Sequence, residues 1–271
     1  MIKLKKAKTI LFDGDGVLWK GNVPIPGIAE LFSTLDEKGI NWALLTNNNT
    51  RTAQDYVDKL NKFGVPADLS RVFTSSTATA AYLLERYGRG AAVHAVGMSG
   101  LLVTLEEGGF KVSTGETMPE HEVVAVVSGM DRQINHEKIK VAMRLILGGA
   151  DFIATNTDGS FVTPDGVNPG TGMVIGALHY ASGKAPLVIG KPEKAIFETA
   201  LKRFKAAPED SLMVGDRLNT DILGAERLGI PTVAVLTGVS SREEIAASDI
   251  QPDLVYADIS EFLEALKKEH G

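Results

Sequence analysis

The feature that most constrains the fold is a set of short apolar runs, each closing on polar residues and most followed by a helical pattern. Residues 8–13 (Lys-Thr-Ile-Leu-Phe-Asp) run into a turn at Gly14-Asp15-Gly16, and residues 40–45 (Ile-Asn-Trp-Ala-Leu-Leu) end at Thr46-Asn47-Asn48-Asn49. Between them Ile28, Leu31, Phe32 and Leu35 recur at helical spacing up to Gly39. The last third repeats this grammar. Leu187-Val188-Ile189 ends at Gly190-Lys191-Pro192, and Ser211-Leu212-Met213-Val214 ends at Gly215-Asp216. Runs this short, apolar on both faces and separated by helices, pair in parallel through right-handed crossovers. The expected class is α/β, with a Rossmann-like, doubly wound parallel sheet as its core.

The middle of the chain reads as a second α/β unit inserted into the first. Its expected strands are 91–96, 123–128 and 151–155, with helices near 99–107, 136–147 and 172–182. The expected division is a core of 1–80 and 184–271 around an insert of 81–183. With 271 residues, both units are long enough for their own hydrophobic cores.

Composition removes several functions. There is no cysteine, hence no thiolate nucleophile, disulfide or cysteine-bound metal. The formal charge of −6 argues against nucleic-acid binding, which draws on basic patches. The basic start precedes only Thr9-Ile10-Leu11-Phe12 before Asp13 interrupts, short of the roughly 7–15 apolar residues of a secretory segment, and no run approaches the roughly 18 of a membrane span. A cytoplasmic protein is expected.

In an open α/β sheet, ligands bind at the carboxyl ends of the strands. Asp13, Asp15, Thr46, Asn47, Lys191 and Asp216 should therefore converge. Three carboxylates in one crevice repel one another unless a cation resolves them, and Mg2+ suits one or two carboxylates plus phosphate and water. A lysine, a hydroxyl and glycine-flanked N–H groups suit phosphate oxygens. The combination points to phosphoryl transfer.

Four segments, Phe12-Asp13-Gly14-Asp15-Gly16-Val17-Leu18-Trp19, Leu45-Thr46-Asn47-Asn48, Gly190-Lys191-Pro192 and Gly215-Asp216-Arg217-Leu218-Asn219-Thr220-Asp221, resemble in order the four motifs of the haloacid dehalogenase superfamily. The closest branch is the NagD-like, 4-nitrophenylphosphatase-type phosphatases, and the resemblance extends to Pro169-Gly170-Thr171-Gly172. It implies an inserted α/β cap domain of the large type, lying over the crevice and choosing the substrate. It also implies that Asp13 attacks phosphorus, that Asp15 protonates the leaving group and then activates water, and that Thr46, Asn47, Asn48 and Lys191 bind the phosphoryl group. Asp13, Asp15 through its backbone carbonyl, and Asp216 would hold Mg2+, with Asp221 in support. An acid at position 15 favours rapid breakdown of an aspartyl-phosphate, as in phosphatases. The expected activity is a Mg2+-dependent phosphomonoesterase acting on small phosphorylated metabolites, without nucleic acid or membrane as partner. A homodimer through the cap is a further expectation by analogy.

Gly14 departs from the bulkier residue of many relatives, which adds flexibility between the two aspartates. Taken singly, Asp13 and Asp15 are ordinary turn residues and Thr46 an ordinary helix cap; jointly, at one sheet edge, they are not. Specialised phosphoglycolate or pyridoxal phosphate phosphatases, and a phosphate sensor without turnover, remain alternatives. Gly170-x-Gly172-x-x-x-Gly176 resembles a dinucleotide fingerprint but follows a Pro/Gly loop and lacks the βαβ frame, so it reads as a tight loop before a helix. Trp19 and Trp42 read as packing residues. Asn156, Asp158 and Arg132 lie in loops of the insert and are left outside the expected site.

Overall fold

A computed structural model describes residues 4–163 and 166–270. The chain divides into two compact units. The first comprises Met1–Thr46, Ala53–Phe73 and Lys191–Gly271, and the second Asn47–Thr52 and Thr74–Gly190.

The first unit is built on a six-stranded sheet. Its order across the sheet is Leu254–Tyr256, Thr232–Val235, Ser211–Gly215, Thr9–Phe12, Asn41–Thr46, Val72–Thr74. Numbered along the chain, these six strands lie in the order 6-5-4-1-2-3, the doubly wound arrangement. Thr9–Phe12 pairs in parallel with Ser211–Gly215 on one side and Asn41–Thr46 on the other. The strand order reverses between Thr9–Phe12 and Ser211–Gly215, and at such a switch point the loops leave in opposite directions and open a crevice.

Both of these strands are buried along their whole length, which is why each runs apolar after its first residue, from Ile10 to Phe12 and from Leu212 to Val214. The helices Ile28–Glu37 and Ile259–His270 supply apolar side chains to one core with them. Phe12 meets Phe32 edge-on at 5.3 Å between ring centroids, and Phe32 meets Trp42 at 4.4 Å. Fully burying a side chain of this size stabilises by about 1.5–3 kcal/mol, so this cluster fixes the strand that delivers Asp13.

The second unit holds a five-stranded sheet in the order Leu187–Val188, Asp151–Ala154, Ala125–Ser128, Ala92–Val96, Lys111–Thr114, with every adjacent pair parallel. Helices His136–Leu147 and Gly172–Ser182 cover it, burying Ala142, Ile146, Val174, Ile175 and Leu178 against Val126 and Phe152. A hairpin of Ser160–Thr163 and Gly166–Pro169 precedes the second of these helices.

Three features differ from expectation. Leu187–Val188 belongs to the second sheet, where Leu187 aligns with Ile153 and Val188 with Ala154, and not to the core. An apolar triplet carries no mark of which sheet it joins. Helix Ser75–Tyr87 runs across the expected 80/81 boundary as one element of the second unit. Thr74 starts it with a reciprocal capping box to Thr77, so the chain turns into the second unit before residue 81. The short strand Lys111–Thr114 has no apolar run because both its ends are exposed and its centre only half-buried.

Candidate active site

Asp13 is the first residue beyond strand Thr9–Phe12, and its backbone N–H continues the ladder by donating to the Val214 carbonyl at 3.0 Å. Asp216 stands in the equivalent place beyond Ser211–Gly215. The two aspartates thus leave neighbouring strands at the switch point. A π-helical turn, Leu218–Ile222, follows and returns Asp221 to the strand end. There Asp221 Oδ2 accepts from the backbone N–H groups of Asp216 at 3.2 Å and Arg217 at 3.1 Å. Wide turns of this kind recur at functional sites because they re-aim one side chain within a helix.

Lys191 ties the group together. Its Nζ lies 2.5 Å from Asp13 Oδ1 and 2.7 Å from Asp221 Oδ1, and it donates to the Leu45 carbonyl at 2.9 Å. At 2% exposed it is among the largest fully buried side chains of the protein. Burial alone would lower its pKa, but the Asp13 and Asp221 carboxylates outweigh that and keep the ammonium charged.

The carboxylates feel the opposite balance. Burial raises the pKa of Asp13 well above the usual range; Asp221 and Asp216 push it further up, and Lys191 opposes them. Asp216 is pushed up to about 7, by burial first and by the Asp221 carboxylate second. Its Oδ2 accepts from the Val239 N–H at 2.7 Å, while its Oδ1 is buried without a hydrogen-bond partner. Gly238 makes this approach possible, since a Cβ there would lie 1.8 Å from Asp216 Oδ2.

One oxygen from each of Asp13, Asp216 and Asp221 lies within 4.8 Å of the others. Hard oxygen donors, excess negative charge and an orphaned buried carboxylate oxygen fit a divalent cation.

The structure brings Asp13, Lys191, Asp216 and Asp221 together, with Asp221 as much a member as Asp216. Thr46, buried at the end of its strand, follows the Leu45 carbonyl that Lys191 holds. Asp15 is exposed on the turn beyond Asp13. Asn47 and Asn48 fall in the second unit. There Asn47 Nδ2 donates to both carboxylate oxygens of Asp158 at 3.3 Å, and Asn48 Oδ1 accepts from the N–H and hydroxyl of Thr50. Sequence reasoning missed Gly238, which sits in a loop with no motif, and the carbonyls of Leu45 and Val214, which no sequence pattern marks.

A strand-end aspartate cluster at the switch point of a doubly wound sheet, with a buried lysine bridging two of its members, defines a hydrolase of phosphoryl groups. A family model described as haloacid dehalogenase-like hydrolase matches residues 10–111, and a second, described as HAD-hydrolase-like, matches 188–262. The acid sugar phosphatase of Staphylococcus saprophyticus is 36% identical over 265 residues, covering 98% of this chain and all of that protein. Among solved structures, the p-nitrophenyl phosphatase from Archaeoglobus fulgidus superposes with a TM-score of 0.89 at 33% identity, covering 96% of this chain and 99% of that one. NagD from Escherichia coli K-12 does so with a TM-score of 0.83 at 34% identity, covering 94% and 98%. The chain belongs to the haloacid dehalogenase-like hydrolases. Within them it is a phosphatase of the NagD and 4-nitrophenylphosphatase type, an enzyme acting on small phosphate esters. Among the described residues no helix is long and apolar enough to cross a membrane.

Proposed function

We propose that the enzyme hydrolyses small sugar-type phosphate monoesters with magnesium, using Asp13 as nucleophile and Asp15 as general acid and base. The observation that carries this reading is the buried Lys191 ammonium held between Asp13 and Asp221, beside the unpartnered oxygen of Asp216. The sugar-phosphate preference draws on the name of the staphylococcal relative.

Asp13 must be ionised to attack, and burial works against that. Lys191 offsets the penalty and holds one carboxylate oxygen, leaving the other free to approach phosphorus. As the Asp13 oxygen bonds to phosphorus, the bond from phosphorus to the leaving-group oxygen breaks, and Asp15 gives that oxygen its proton. Water then attacks the phosphorus of the aspartyl-phosphate and passes a proton to Asp15. The bond to Asp13 breaks, and the carboxylate and inorganic phosphate are regenerated. The exposure of Asp15 supports its part, since it must exchange protons with alcohol and water in turn. Thr46 and Lys191 bind the phosphoryl oxygens. Asp13, Asp216 and the Asp15 carbonyl, with Asp221 in support, would hold a divalent cation, magnesium in this proposal, which would supply positive charge to the phosphoryl group. Substrate choice is assigned to the second unit. A cytoplasmic location and a homodimer through the second unit belong to the same proposal, the latter checked by sedimentation.

The test is hydrolysis of 4-nitrophenyl phosphate and of a panel of sugar phosphates, with magnesium and with excess EDTA. Activity should require the metal, and Asp15→Asn should lower kcat by about 10² or more, the usual size of general acid–base catalysis. Full activity in EDTA would remove the metal from the mechanism. Full activity of Asp15→Asn would give the proton transfers to another group.

A further inference from the structure

Gly14 separates the two aspartates that do the chemistry, and a glycine there should leave their spacing loose. The structure fills the gap from elsewhere in the chain. A Cβ built on Gly14 would lie 2.4 Å from Cζ2 of Trp19 and 3.0 Å from its Cη2, so the indole stands where a side chain of residue 14 would stand. The backbone of Trp19 holds the same turn. Its N–H donates to the Gly14 carbonyl at 3.2 Å, and its carbonyl accepts from the Gly16 N–H at 2.7 Å, closing a loop around Asp15. The N–H groups of Val17 and Leu18 also donate to the Gly14 carbonyl.

The indole is itself clamped. It is fully buried, stacked on Tyr56 at 6.1 Å with the planes 21° apart, and tilted against Phe63 at 6.2 Å. Lys59 places its Nζ 4.0 Å from the ring centroid while donating to the Gly21 carbonyl at 2.7 Å. Helix Ala53–Lys62, which supplies Tyr56 and Lys59, thus presses the ring onto the catalytic turn. Besides packing in the core with Phe12, Leu44 and Tyr56, the indole also closes on the Cα of Gly14, the residue between the nucleophile and the acid.

We propose that Trp19 is a positioning residue for the Asp13–Asp15 turn, its indole taking the place of the missing side chain at residue 14. The inference rests on the phosphatase reading above and adds a specific steric pair, Gly14 with Trp19. Enlarging one partner should therefore be harmful while the other is intact and tolerated once the other is trimmed.

The experiment measures kcat, KM and Tm with magnesium and 4-nitrophenyl phosphate for the wild type, Gly14→Ala, Trp19→Phe and the double variant. In the same samples, the rise in Tm on adding magnesium chloride and orthovanadate reads the fit of the turn without turnover. Gly14→Ala should lower kcat by about tenfold or more, since a displacement near 1 Å at reacting groups can cost about 10². Its KM should stay within about twofold, and the vanadate-induced rise in Tm should shrink, because the misplaced group is the nucleophile's turn and not the substrate's binding surface. Adding Trp19→Phe, whose ring ends short of the new methyl group, should restore kcat by about fivefold and the vanadate effect with it. Losses that simply multiply, or a Tm loss with kcat and the vanadate effect unchanged, would overturn the positioning role and leave the phosphatase reading standing. If Gly14→Ala does not fold, Trp19→Phe alone decides: a several-fold fall in kcat at unchanged KM supports the role, and an unchanged kcat overturns it. A wild type that hydrolyses no phosphate ester would instead overturn the phosphatase reading, and the catalytic role of Trp19 with it.

Discussion

Each unit gathers polar side chains at the ends of its parallel strands, but with different chemistry. In the first, Asp13 and Asp216 follow neighbouring strands and meet Asp221 around a single buried ammonium. In the second, Thr155 and Asn156 follow strand Asp151–Ala154 and meet the buried carboxamide of Asn49. Carboxylates only accept hydrogen bonds, so a cluster of them cannot satisfy itself and needs a donor or a cation from outside. Amides and hydroxyls donate as well as accept, and can close a network among themselves. Asp216 Oδ1 is accordingly left without a hydrogen-bond partner, whereas both polar atoms of the Asn49 amide are engaged. Two similar sheet edges thus differ in kind: the first leaves a buried carboxylate oxygen without a partner, and the second engages the whole Asn49 amide, with only the Ser128 hydroxyl beside it unpartnered among the described residues at that edge.

The sharpest way to break this contrast is to neutralise the charged edge. Asp13→Asn keeps the shape of the side chain but removes the proposed nucleophile, and turnover should fall by on the order of 10³ or more, as when other enzymes lose their nucleophile. Stability in EDTA should not fall, because a buried carboxylate with raised pKa is replaced by a neutral group. Stopped turnover with an intact Tm is the expected pair of results, and retained turnover would refute the covalent step. Lys191→Met tests the other side of the balance. It leaves Asp13 and Asp221 buried without their counter-charge, a change that costs about 3–5 kcal/mol when a buried pair loses one partner. Denaturant unfolding in EDTA should show the loss, and magnesium should recover part of it. A variant as stable as the wild type would mean that water already reaches the cluster.

The two units should also answer pH with opposite signs. Asp216 has its pKa raised from 3.8 to about 7 in the folded protein. Between pH 4 and 7, the metal-free folded state keeps a proton that the unfolded chain has released, so stability falls as pH rises through that window. His94, buried in the second sheet, has its pKa lowered from 6.5 to about 4 by burial. Between pH 6.5 and 4, the unfolded chain takes a proton that folded His94 refuses, so stability falls as pH drops, by roughly 3 kcal/mol in all. Unfolding free energies measured in EDTA across pH 4–7 should show the first slope reduced in Asp216→Asn, with Asp13, whose pKa burial also raises, supplying the remainder, and the second slope lost in His94→Leu. Unchanged slopes in both variants would show that burial of these two groups does not set the acid response.

Most of the charged edge was legible in the sequence, and for a physical reason. Asp13, Thr46 and Asp216 close apolar runs that become neighbouring strands of one parallel sheet, and strand ends on one edge of such a sheet must converge. Lys191 stands out by its Gly/Pro flanks but follows a strand of the second sheet, so that rule does not account for its place in the cluster. The amide edge was not legible. Asn47-Asn48-Asn49 offer three equivalent residues, and only tertiary partners show that Asn49 sits in a buried network with Thr155 and Asn156 and that the segment Asn47–Thr52 belongs with Thr74–Gly190. Strand Leu187–Val188 joins the second sheet and not the core, a difference the sequence does not show because parallel strands of both sheets carry the same apolar pattern. Gly14 read as a weakness, and the compensating Trp19, five residues on, becomes visible only when a Cβ is built on the glycine.

The smallest expected effect tests whether the amide edge is as self-sufficient as its bonding suggests. Asn49 Nδ2 donates to Asn156 Oδ1 at 2.8 Å, to Thr155 Oγ1 at 3.0 Å and to Thr171 Oγ1 at 3.3 Å, while its Oδ1 accepts from the Met130 N–H at 2.8 Å. Asn49→Ala strands the Met130 N–H and should cost about 1–3 kcal/mol, the range for a buried group left unsatisfied. Asn156 keeps a bond from the Thr155 hydroxyl, which limits the damage. Asn49→Asp still serves Met130 but sets a charge among oxygens that had been accepting, and so brings into the second unit the problem the first unit has. It should be less stable than Asn49→Ala at pH 7 and recover as the pH is lowered toward protonation of the new carboxyl group. If Asn49→Asp is instead the more stable of the two at pH 7, the Thr155 and Thr171 hydroxyls have turned to donate to it. The second edge could then accept charge as well, and the difference between the two edges would lie in the number of carboxylates and not in their chemistry.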